Sequence, residues 1–269
     1  MLPIARKPVV QYVVEELEAN GIGQVLFVTG KGKTSIENHF DFDHELTRSL
    51  RAAGKEELLQ ELEFERLGLE FFFTRQRLQK GLGDAVRCAQ NFTGDRPFVV
   101  ALGDSVLGRH GSSKAVERLI RCYDDEKASC VVAFQEVARN EVSHYGIARP
   151  GGSGDIFPVE DLIEKPSPDE APSQLAVAAR YVLSPSIYDA LATLRPGMGG
   201  EIQLTDAIRA LALGGEKVLG VRLKSSETRY DVGNYESYFR AFLDFALSDP
   251  QLGGRLTDWL KERLEGRQK

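Results

Sequence analysis

The opening stretch, residues 1–30, reads "MLPIARKPVVQYVVEELEANGIGQVLFVTG" and decides the class of fold. After a predicted loop, apolar side chains recur at helical spacing from Val9 to Leu17, with glutamates mostly on the other side. The short β-branched run Val25–Thr29 then predicts a buried strand. A helix that feeds a buried strand is half of a βαβ unit, so a further strand is expected before this helix, and residues 1–8 do not supply one.

Predicted strands and helices continue to alternate through the first half of the chain. A polar helical region runs from Lys33 to about Leu67. Strands are predicted at "LEFFFTRQ" (69–76), "RPFVVALGD" (96–104) and "ASCVVAFQEV" (128–137), with helices at "GLGDAVRCAQNF" (81–92) and "SSKAVERLIRCYDDEK" (112–127). Strands separated by helices imply parallel pairing with right-handed crossovers. Fully apolar strands suit a sheet that helices cover on both faces.

The middle of the chain has a different pattern. Three β-like stretches lie close together with turn residues between them: "HYGIARP" (144–150), "IFPVEDLIEKP" (156–166) and "SQLAVAARYVLS" (173–184). This spacing predicts antiparallel or mixed strands, which we interpret as a small β-rich lobe over one edge of the sheet. Helices return near the end, at about 234–266. Because no linker interrupts the chain, we expect a single α/β domain over 1–269.

Composition limits the class of protein. The chain has 269 residues, 42% hydrophobic and 28% charged, as in an ordinary globular protein. A net charge of −6 argues against a general nucleic-acid surface, and no run is long enough for a membrane span. The three cysteines form no CxxC pair, which favours reduced thiols in the cytoplasm.

A glycine-rich turn connects one predicted strand to the next helix, in "RQRLQKGLGDA" (75–85). Such a turn lets backbone N–H groups approach an anionic ligand, and the Gln76 amide suits the edge of a base. The alternative is a tight turn at Gly81 with Asp84 as a helix cap, because short glycine patterns are weak evidence.

Two aspartates stand at the ends of predicted strands. Asp104 follows the buried strand in "ALGD", where ligands bind in open α/β sheets, and Asp231 lies in "RYDVGN". Two carboxylates from distant segments can share one Mg²⁺ ion. The alternatives are that Asp104 caps the next helix and that Asp231 is a turn residue, since the sequence cannot bring the two together.

A third candidate site is "LIEKP" (162–166), where Glu164 and Lys165 end a strand. At a strand end both side chains can turn into a cleft, where Glu accepts bonds from sugar hydroxyls and Lys binds phosphate. The alternative is an exposed ion pair. The run "HFDFDH" (39–44) has metal-ligand residue types, but its polar helical context favours a solvated face.

These segments, in this order, resemble the bacterial UTP–glucose-1-phosphate uridylyltransferases. The matching motifs cover nearly the whole chain and include "FVTGKGK" (27–33), "GLGDAV" (81–86), "EKP" (164–166), "GGEIQLTDAI" (199–208) and "YDVGN" (230–234). The resemblance implies a Rossmann-like, mixed but mostly parallel sheet with helices on both faces and a β-rich sugar-binding lobe. It also implies the conversion of UTP and glucose 1-phosphate to UDP-glucose and pyrophosphate, in a homo-oligomer.

The resemblance assigns roles to individual residues. Asp104 and Asp231 would hold Mg²⁺, and Lys165 would contact the sugar phosphate; these three are the expected catalytic residues. The expected nucleotide-binding residues are Gln76 and Gly81. The expected sugar-binding residues are Gly146, Glu164, Ala178 with its neighbour Ala179, and Glu201.

Two departures from the family pattern affect the expected activity. Family members begin with a strand and a G-x-G-T-R loop that cradles the triphosphate, and this chain starts at the methionine after that segment, so we expect 1–269 alone to be poorly stable and weakly active. Tyr235 stands where the family commonly has a lysine. The alternative functions are transfer to another base or sugar, and a non-catalytic paralogue that binds a nucleotide sugar.

Overall fold

A six-stranded mixed sheet forms the centre of the fold in a computed structural model, which describes residues 1–55, 58–59 and 68–266. The strands are β1 (Pro3–Ile4), β2 (Lys7–Pro8), β3 (Gln24–Thr29), β4 (Glu70–Arg75), β5 (Phe98–Ala101), β6 (Ser105–Leu107), β7 (Cys130–Glu136), β8 (Gly146–Pro150), β9 (Ile156–Glu164), β10 (Leu175–Leu183), β11 (Val218–Arg222) and β12 (Arg229–Asp231). The order in the central sheet is β5-β10-β7-β11-β9-β8.

Helices flank this sheet. They are α1 (Val9–Ala19), α2 (Thr34–Phe40), α3 (His44–Ala52), α4 (Leu82–Arg87), α5 (Gln90–Thr93), α6 (Ala115–Glu126), α7 (Ser186–Thr193), α8 (Leu204–Leu213), α9 (Tyr235–Leu247) and α10 (Gly253–Glu265). Within the described part of the chain, none of the helices combines the length and the apolar character needed to cross a bilayer.

The α/β class and the mixed sheet are confirmed, but the expectation of mostly parallel pairing is wrong. In the central sheet of the described residues, β7 and β11 pair in parallel and the other pairings are antiparallel. The reason is the position of β10. This strand returns from the β-rich middle and inserts between β5 and β7, where Leu183 lies opposite both Phe98 and Cys130.

Apolar clusters cover both faces of the central sheet, as expected. On one face, Phe134 and Phe157 pack with Ile187 of α7 and Ile208 of α8. On the other face, Leu119 of α6 belongs to a second cluster. Each face of the central sheet is therefore shielded from water by its own helices.

The N-terminal region forms two small sheets of its own. The predicted loop at the start is a short hairpin of β1 and β2, and β3 pairs in parallel with β4. A cavity of about 890 Å³ separates β3 from β5, and residues of α1 and α4 also line it. We call this cavity the strand slot.

The polar region after β3 is helical where the structure describes it, in α2 and α3. Asp43 of the "HFDFDH" run caps α3, since its Oδ1 accepts a hydrogen bond from the Leu46 N–H at 2.8 Å. The remainder of the predicted helical region, at 56–57 and 60–67, lies outside the described residues.

Candidate functional site

The two candidate metal-binding aspartates lie next to each other in space. Strands β6 and β12 pair antiparallel, with Asp231 opposite Ser105, and the Val232 N–H donates to the Asp104 carbonyl at 3.1 Å. Desolvation raises the pKa of Asp104, and the nearby Asp231 carboxylate raises it further, although solvent still reaches the side chain. The structure therefore brings together two residues that the sequence could not connect.

Of the two alternative roles of these aspartates, a helix cap and a turn residue, the structure shows the second. Asp104 does not cap a helix, because β6 follows it directly. Asp231 does have a turn role, since its Oδ1 accepts from the Gly233 N–H at 2.8 Å. Two neighbouring aspartates that solvent reaches offer the hard oxygen ligands that Mg²⁺ prefers, so this donor set fits that ion.

Arg229, which the sequence analysis did not select, connects the aspartate pair to β10 and to Tyr145, next to β8 of the central sheet. Its side chain is 4% exposed, and Nη2 lies 3.7 Å from Asp231 Oδ2. Nη1 donates to the Val177 carbonyl at 3.0 Å, and the guanidinium stacks 4.3 Å from the Tyr145 ring centroid. The sequence feature that could have identified Arg229 is its position two residues before Asp231 in "RYDVGN".

The predicted sugar-binding residues Gly146 and Glu164 are cross-strand neighbours in β8 and β9. A Cβ on Gly146 would meet Thr205 Oγ1 at 3.1 Å and Glu164 Oε2 at 3.3 Å. Thr205, which lies in the "EIQLTDAI" motif, is a residue that the sequence analysis missed. These three residues therefore lie in direct contact with one another.

Lys165, which follows the end of β9, does not continue the alternating side-chain directions of that strand. Its φ of +46° turns the backbone after Glu164, and its N–H donates to the Tyr145 carbonyl at 3.0 Å. As a result Lys165 Nζ lies 3.9 Å from Glu164 Oε1, although adjacent strand residues normally point to opposite faces. Both side chains therefore turn to the same side and form an ion pair, as in the alternative interpretation, although the Glu164 side chain is largely buried.

The predicted nucleotide-binding residues Gln76 and Gly81 also come together. Gln76 Nε2 donates to the Gly81 carbonyl at 3.1 Å and to Asp84 Oδ2 at 2.8 Å. Gly81 has a φ of +94°, which favours glycine. The side-chain amide thus braces the turn that presents the start of α4.

Glu201 lies against this turn rather than against Gly146. A Cβ on Gly81 would meet Glu201 Cβ at 2.9 Å and the Ile202 carbonyl at 2.7 Å. The Ile202 N–H donates to the Lys80 carbonyl at 2.7 Å, and Ile202 accepts from the Gly83 N–H at 2.8 Å. The segment 201–205 therefore runs from the glycine turn before α4, through Ile202, to Thr205 beside Gly146.

Ala178 and Ala179 lie at an irregularity of β10, where the pairing register with β7 shifts between Val177 and Tyr181. Ala178 is fully buried in the apolar cluster beneath α6, and Ala179 has a φ of +59°. A sugar contact from Ala178 would therefore come from its backbone, because its side chain packs in the core.

A buried ion pair supports the loop that carries Asp104. Arg180 and Glu16 have side chains that are both fully buried, with Nη2 2.6 Å from Oε2. Arg180 also donates to the Ser105 carbonyl at 2.9 Å and the Ala179 carbonyl at 2.9 Å. The sequence analysis missed this pair, because it joins residues 164 positions apart.

Comparisons with known proteins identify close relatives. The family model described as nucleotidyl transferase matches residues 1–247. UTP–glucose-1-phosphate uridylyltransferase YngB of Bacillus subtilis (strain 168) is 41% identical over 266 residues, which cover 98% of this chain and 88% of the relative.

Two solved structures share the fold. A UTP-bound UGPase from Acinetobacter baumannii has a TM-score of 0.84 and 31% identity, over 97% of this chain and 90% of its own. A UDP-glucose pyrophosphorylase in complex with UDP-glucose has a TM-score of 0.81 and 34% identity, over 91% and 89% of the two chains. The protein therefore belongs to the nucleotidyl transferase family, among the UTP–glucose-1-phosphate uridylyltransferases.

Proposed function

We propose that this nucleotidyltransferase transfers a uridylyl group from UTP to glucose 1-phosphate, with release of pyrophosphate. The observation that carries the proposal is the pairing of β6 with β12, which places Asp104 beside Asp231. Relatives named as uridylyltransferases, and solved structures described as UTP-bound or complexed with UDP-glucose, supply the choice of substrates.

The proposed roles divide among the aspartate pair, the glycine turn before α4 and the residues around Gly146. Asp104 and Asp231 would hold Mg²⁺, which when bound neutralises phosphate charge. Gln76 and Gly81 would bind the uracil, and Glu201 would brace that turn. The proposed sugar contacts are Gly146, Glu164 and the Ala178 backbone, and Lys165 would bind the sugar phosphate.

The proposed reaction is an in-line displacement. A phosphate oxygen of glucose 1-phosphate forms a bond to the α-phosphorus of UTP, and the bond from that phosphorus to the β-phosphate oxygen breaks. Pyrophosphate leaves with the electron pair. Lys165 offsets the negative charge of the attacking phosphate, and the chain otherwise contributes by holding the two substrates in line.

The test replaces each aspartate with its neutral isostere. Asp104→Asn and Asp231→Asn should each lower pyrophosphate release from UTP and glucose 1-phosphate by at least about 100-fold, because a charged ligand is lost. Both should also weaken Mn²⁺ binding in the presence of UDP-glucose, measured by electron paramagnetic resonance. Asp125→Asn, at an exposed position on α6, is the control. Unchanged Mn²⁺ binding in both site variants would contradict the metal assignment.

A second candidate function is a non-catalytic binder of nucleotide sugars. Gly103 and Asp104 line the strand slot, so the loop that carries one metal-binding carboxylate borders a cavity instead of packed protein. This observation favours the second candidate function. A panel of UTP, dTTP and several hexose 1-phosphates, scored by pyrophosphate release and by binding, separates the two functions and identifies the base and the sugar.

A homo-oligomer in the cytoplasm completes the proposal. Large apolar side chains on the outer faces of α9 and α10 are exposed, which suits an interface between copies of the chain. The buried thiols of Cys122 and Cys130 are free, which suits a reducing compartment.

A further inference from the structure

Arg229 joins three segments that the proposed function assigns to different parts of the site. Strand β12 carries it two residues before Asp231, and its Nη2 lies 3.7 Å from Asp231 Oδ2. Nη1 donates to the Val177 carbonyl at 3.0 Å, where the pairing of β10 becomes irregular. The guanidinium also stacks on the ring of Tyr145, 4.3 Å from its centroid. One side chain therefore contacts a proposed metal ligand, β10 and the residue before β8.

The two anchors of the guanidinium are next to proposed sugar contacts. Val177 directly precedes Ala178, whose backbone is one of these contacts. Tyr145 directly precedes Gly146, and its carbonyl accepts from the Lys165 N–H at 3.0 Å. We call Ala178, Gly146 and Lys165 the sugar side of the site. The guanidinium therefore contacts the chain beside the sugar side at two points.

The guanidinium also constrains the Asp231 carboxylate. Asp231 Oδ1 accepts from the Gly233 N–H at 2.8 Å, and Oδ2 is the oxygen nearer to Arg229. The Asp231 side chain is 30% exposed, whereas that of Arg229 is 4% exposed. A buried and anchored cation beside a partly exposed carboxylate restricts the rotation of that carboxylate. Burial raises the pKa of Asp104 and the Arg229 charge opposes this rise, so the guanidinium also lies near the second aspartate.

Stability alone does not account for Arg229. Its Nε is buried and has no hydrogen-bond partner among the described residues. A buried donor without a partner lowers stability, and a buried cation adds a desolvation penalty. Features that lower stability in this way are typical of functional sites. The contacts of this arginine with the site therefore explain its presence better than packing does.

We propose that Arg229 is a positioning residue, a role that rests on the proposed function. It holds the Asp231 carboxylate in a fixed place relative to the sugar side, so that a divalent ion and a sugar nucleotide strengthen each other's binding. Such coupling is reciprocal, because each ligand must tighten binding of the other by the same factor. Direct contact between a diphosphate and the ion also couples the two, but that contribution does not require Arg229.

Two variants test this role with Mn²⁺ and UDP-glucose as probes. Electron paramagnetic resonance gives the Mn²⁺ dissociation constant without and with UDP-glucose, and the ratio of the two is the coupling factor. Arg229→Met removes the charge, whereas Arg229→Lys keeps the charge but loses the planar fork. We expect both variants to lower the coupling factor at least about fivefold. The spectrum of bound Mn²⁺ should broaden in both, because the carboxylate is no longer held in one arrangement.

Arg222→Lys is the matched control. Arg222, on β11, also lies over an aromatic ring, 5.2 Å from the Phe157 centroid, and its Nη1 lies 3.4 Å from Glu136 Oε1. It thus has the same kinds of contact outside the proposed site. Arg222→Lys should leave both the coupling factor and the Mn²⁺ spectrum unchanged.

Replacement of Tyr145 keeps the test informative if replacement of Arg229 unfolds the chain. Tyr145→Leu removes the ring on which the guanidinium stacks and should lower the coupling factor. Tyr145→Phe keeps a ring face and should lower it less. Equal coupling factors in these two variants would mean that the stack does not position the guanidinium.

Three further results would overturn the proposal. A coupling factor of one in the wild-type protein, or an unchanged factor in Arg229→Met, would mean that Arg229 couples nothing. Full recovery in Arg229→Lys would mean that charge alone is responsible. An equal loss in Arg222→Lys would mean a general loss of stability. Failure of the proposed function looks different, because Asp231→Asn would then bind Mn²⁺ as tightly as the wild-type protein does.

Discussion

At the scale of single residues, the buried pair of Arg180 and Glu16 ties together parts of the site that are distant in sequence. The Glu16 carboxylate of α1 compensates the charge of Arg180. The guanidinium also donates to the Leu102 and Ser105 carbonyls, which lie on either side of the β5–β6 turn. Desolvation raises the pKa of Glu16, and the Arg180 charge opposes this rise. The pair therefore holds the backbone that flanks Asp104.

Replacement of Arg180 tests this role. Arg180→Met leaves the Glu16 carboxyl buried without its partner, so the free energy of unfolding should fall by about 3–5 kcal/mol, measured by urea denaturation. Against a total of about 5–15 kcal/mol, this is a large loss. The double variant Glu16→Met/Arg180→Met should recover part of it, because neither charge then remains.

The control is an exposed pair of the same chemistry. Glu236 and Arg240 interact at 2.6 Å on α9, with both side chains more than 70% exposed. Arg240→Met should therefore cost no more than about 0.5 kcal/mol. A double variant no more stable than Arg180→Met would show that the buried charge is not the cause.

At the scale of elements, the glycine turn before α4 packs directly on the backbone of the segment before α8. Gly81 and Gly83 approach Ile202 so closely that a Cβ at either position would lie within 2.8 Å of its carbonyl oxygen. This contact couples the proposed nucleotide turn to the helix that carries Thr205. The two halves of the proposed site therefore meet through backbone contacts at Ile202.

Gly81→Ala should disrupt the contact between the glycine turn and the segment before α8. The added Cβ must displace the Ile202 backbone, so we expect a loss of stability of about 1–3 kcal/mol and at least 10-fold weaker binding of UDP-glucose by calorimetry. Gly94→Ala is the matched control, because Gly94 also has a positive φ but open space around its Cβ. Equal effects of the two variants would attribute the loss to backbone strain alone.

At the scale of the whole molecule, α9 has two apolar faces. Phe245 is fully buried against Tyr12 of α1 and Tyr230 of β12, so one face covers the aspartate strands. The other face exposes Tyr235 and Phe239. Tyr235, where the resemblance led us to expect a lysine, is 83% exposed and therefore belongs to this outer surface.

We expect this surface to mediate self-association. Phe239→Glu should place a charge in the interface and reduce the mass measured by light scattering after size exclusion, with little change in Tm. Arg240→Glu, the neighbouring exposed position, puts the same charge on the same helix outside the aromatic surface. A wild-type protein that is monomeric at micromolar concentration would contradict the expectation.

Much of the molecule was predictable from local patterns. The run Val25–Thr29 and the stretch at 128–137 were assigned as strands because apolar periodicity reflects burial within one element. The aspartates at positions 104 and 231 were identifiable as candidates because a carboxylate at the end of a strand has a recognisable context. Their roles remain proposals, but the closeness expected of them agrees with the pairing of β6 with β12.

The remaining features depend on contacts between residues far apart in the chain. The sequence could not indicate that β10 would insert between β5 and β7, because strand pairing is decided by which edges are left open when the whole sheet assembles. For the same reason Arg180 could not be matched with Glu16, nor Thr205 with Gly146. Local periodicity reports which side of an element is buried, whereas the partner that buries it is a property of the folded molecule.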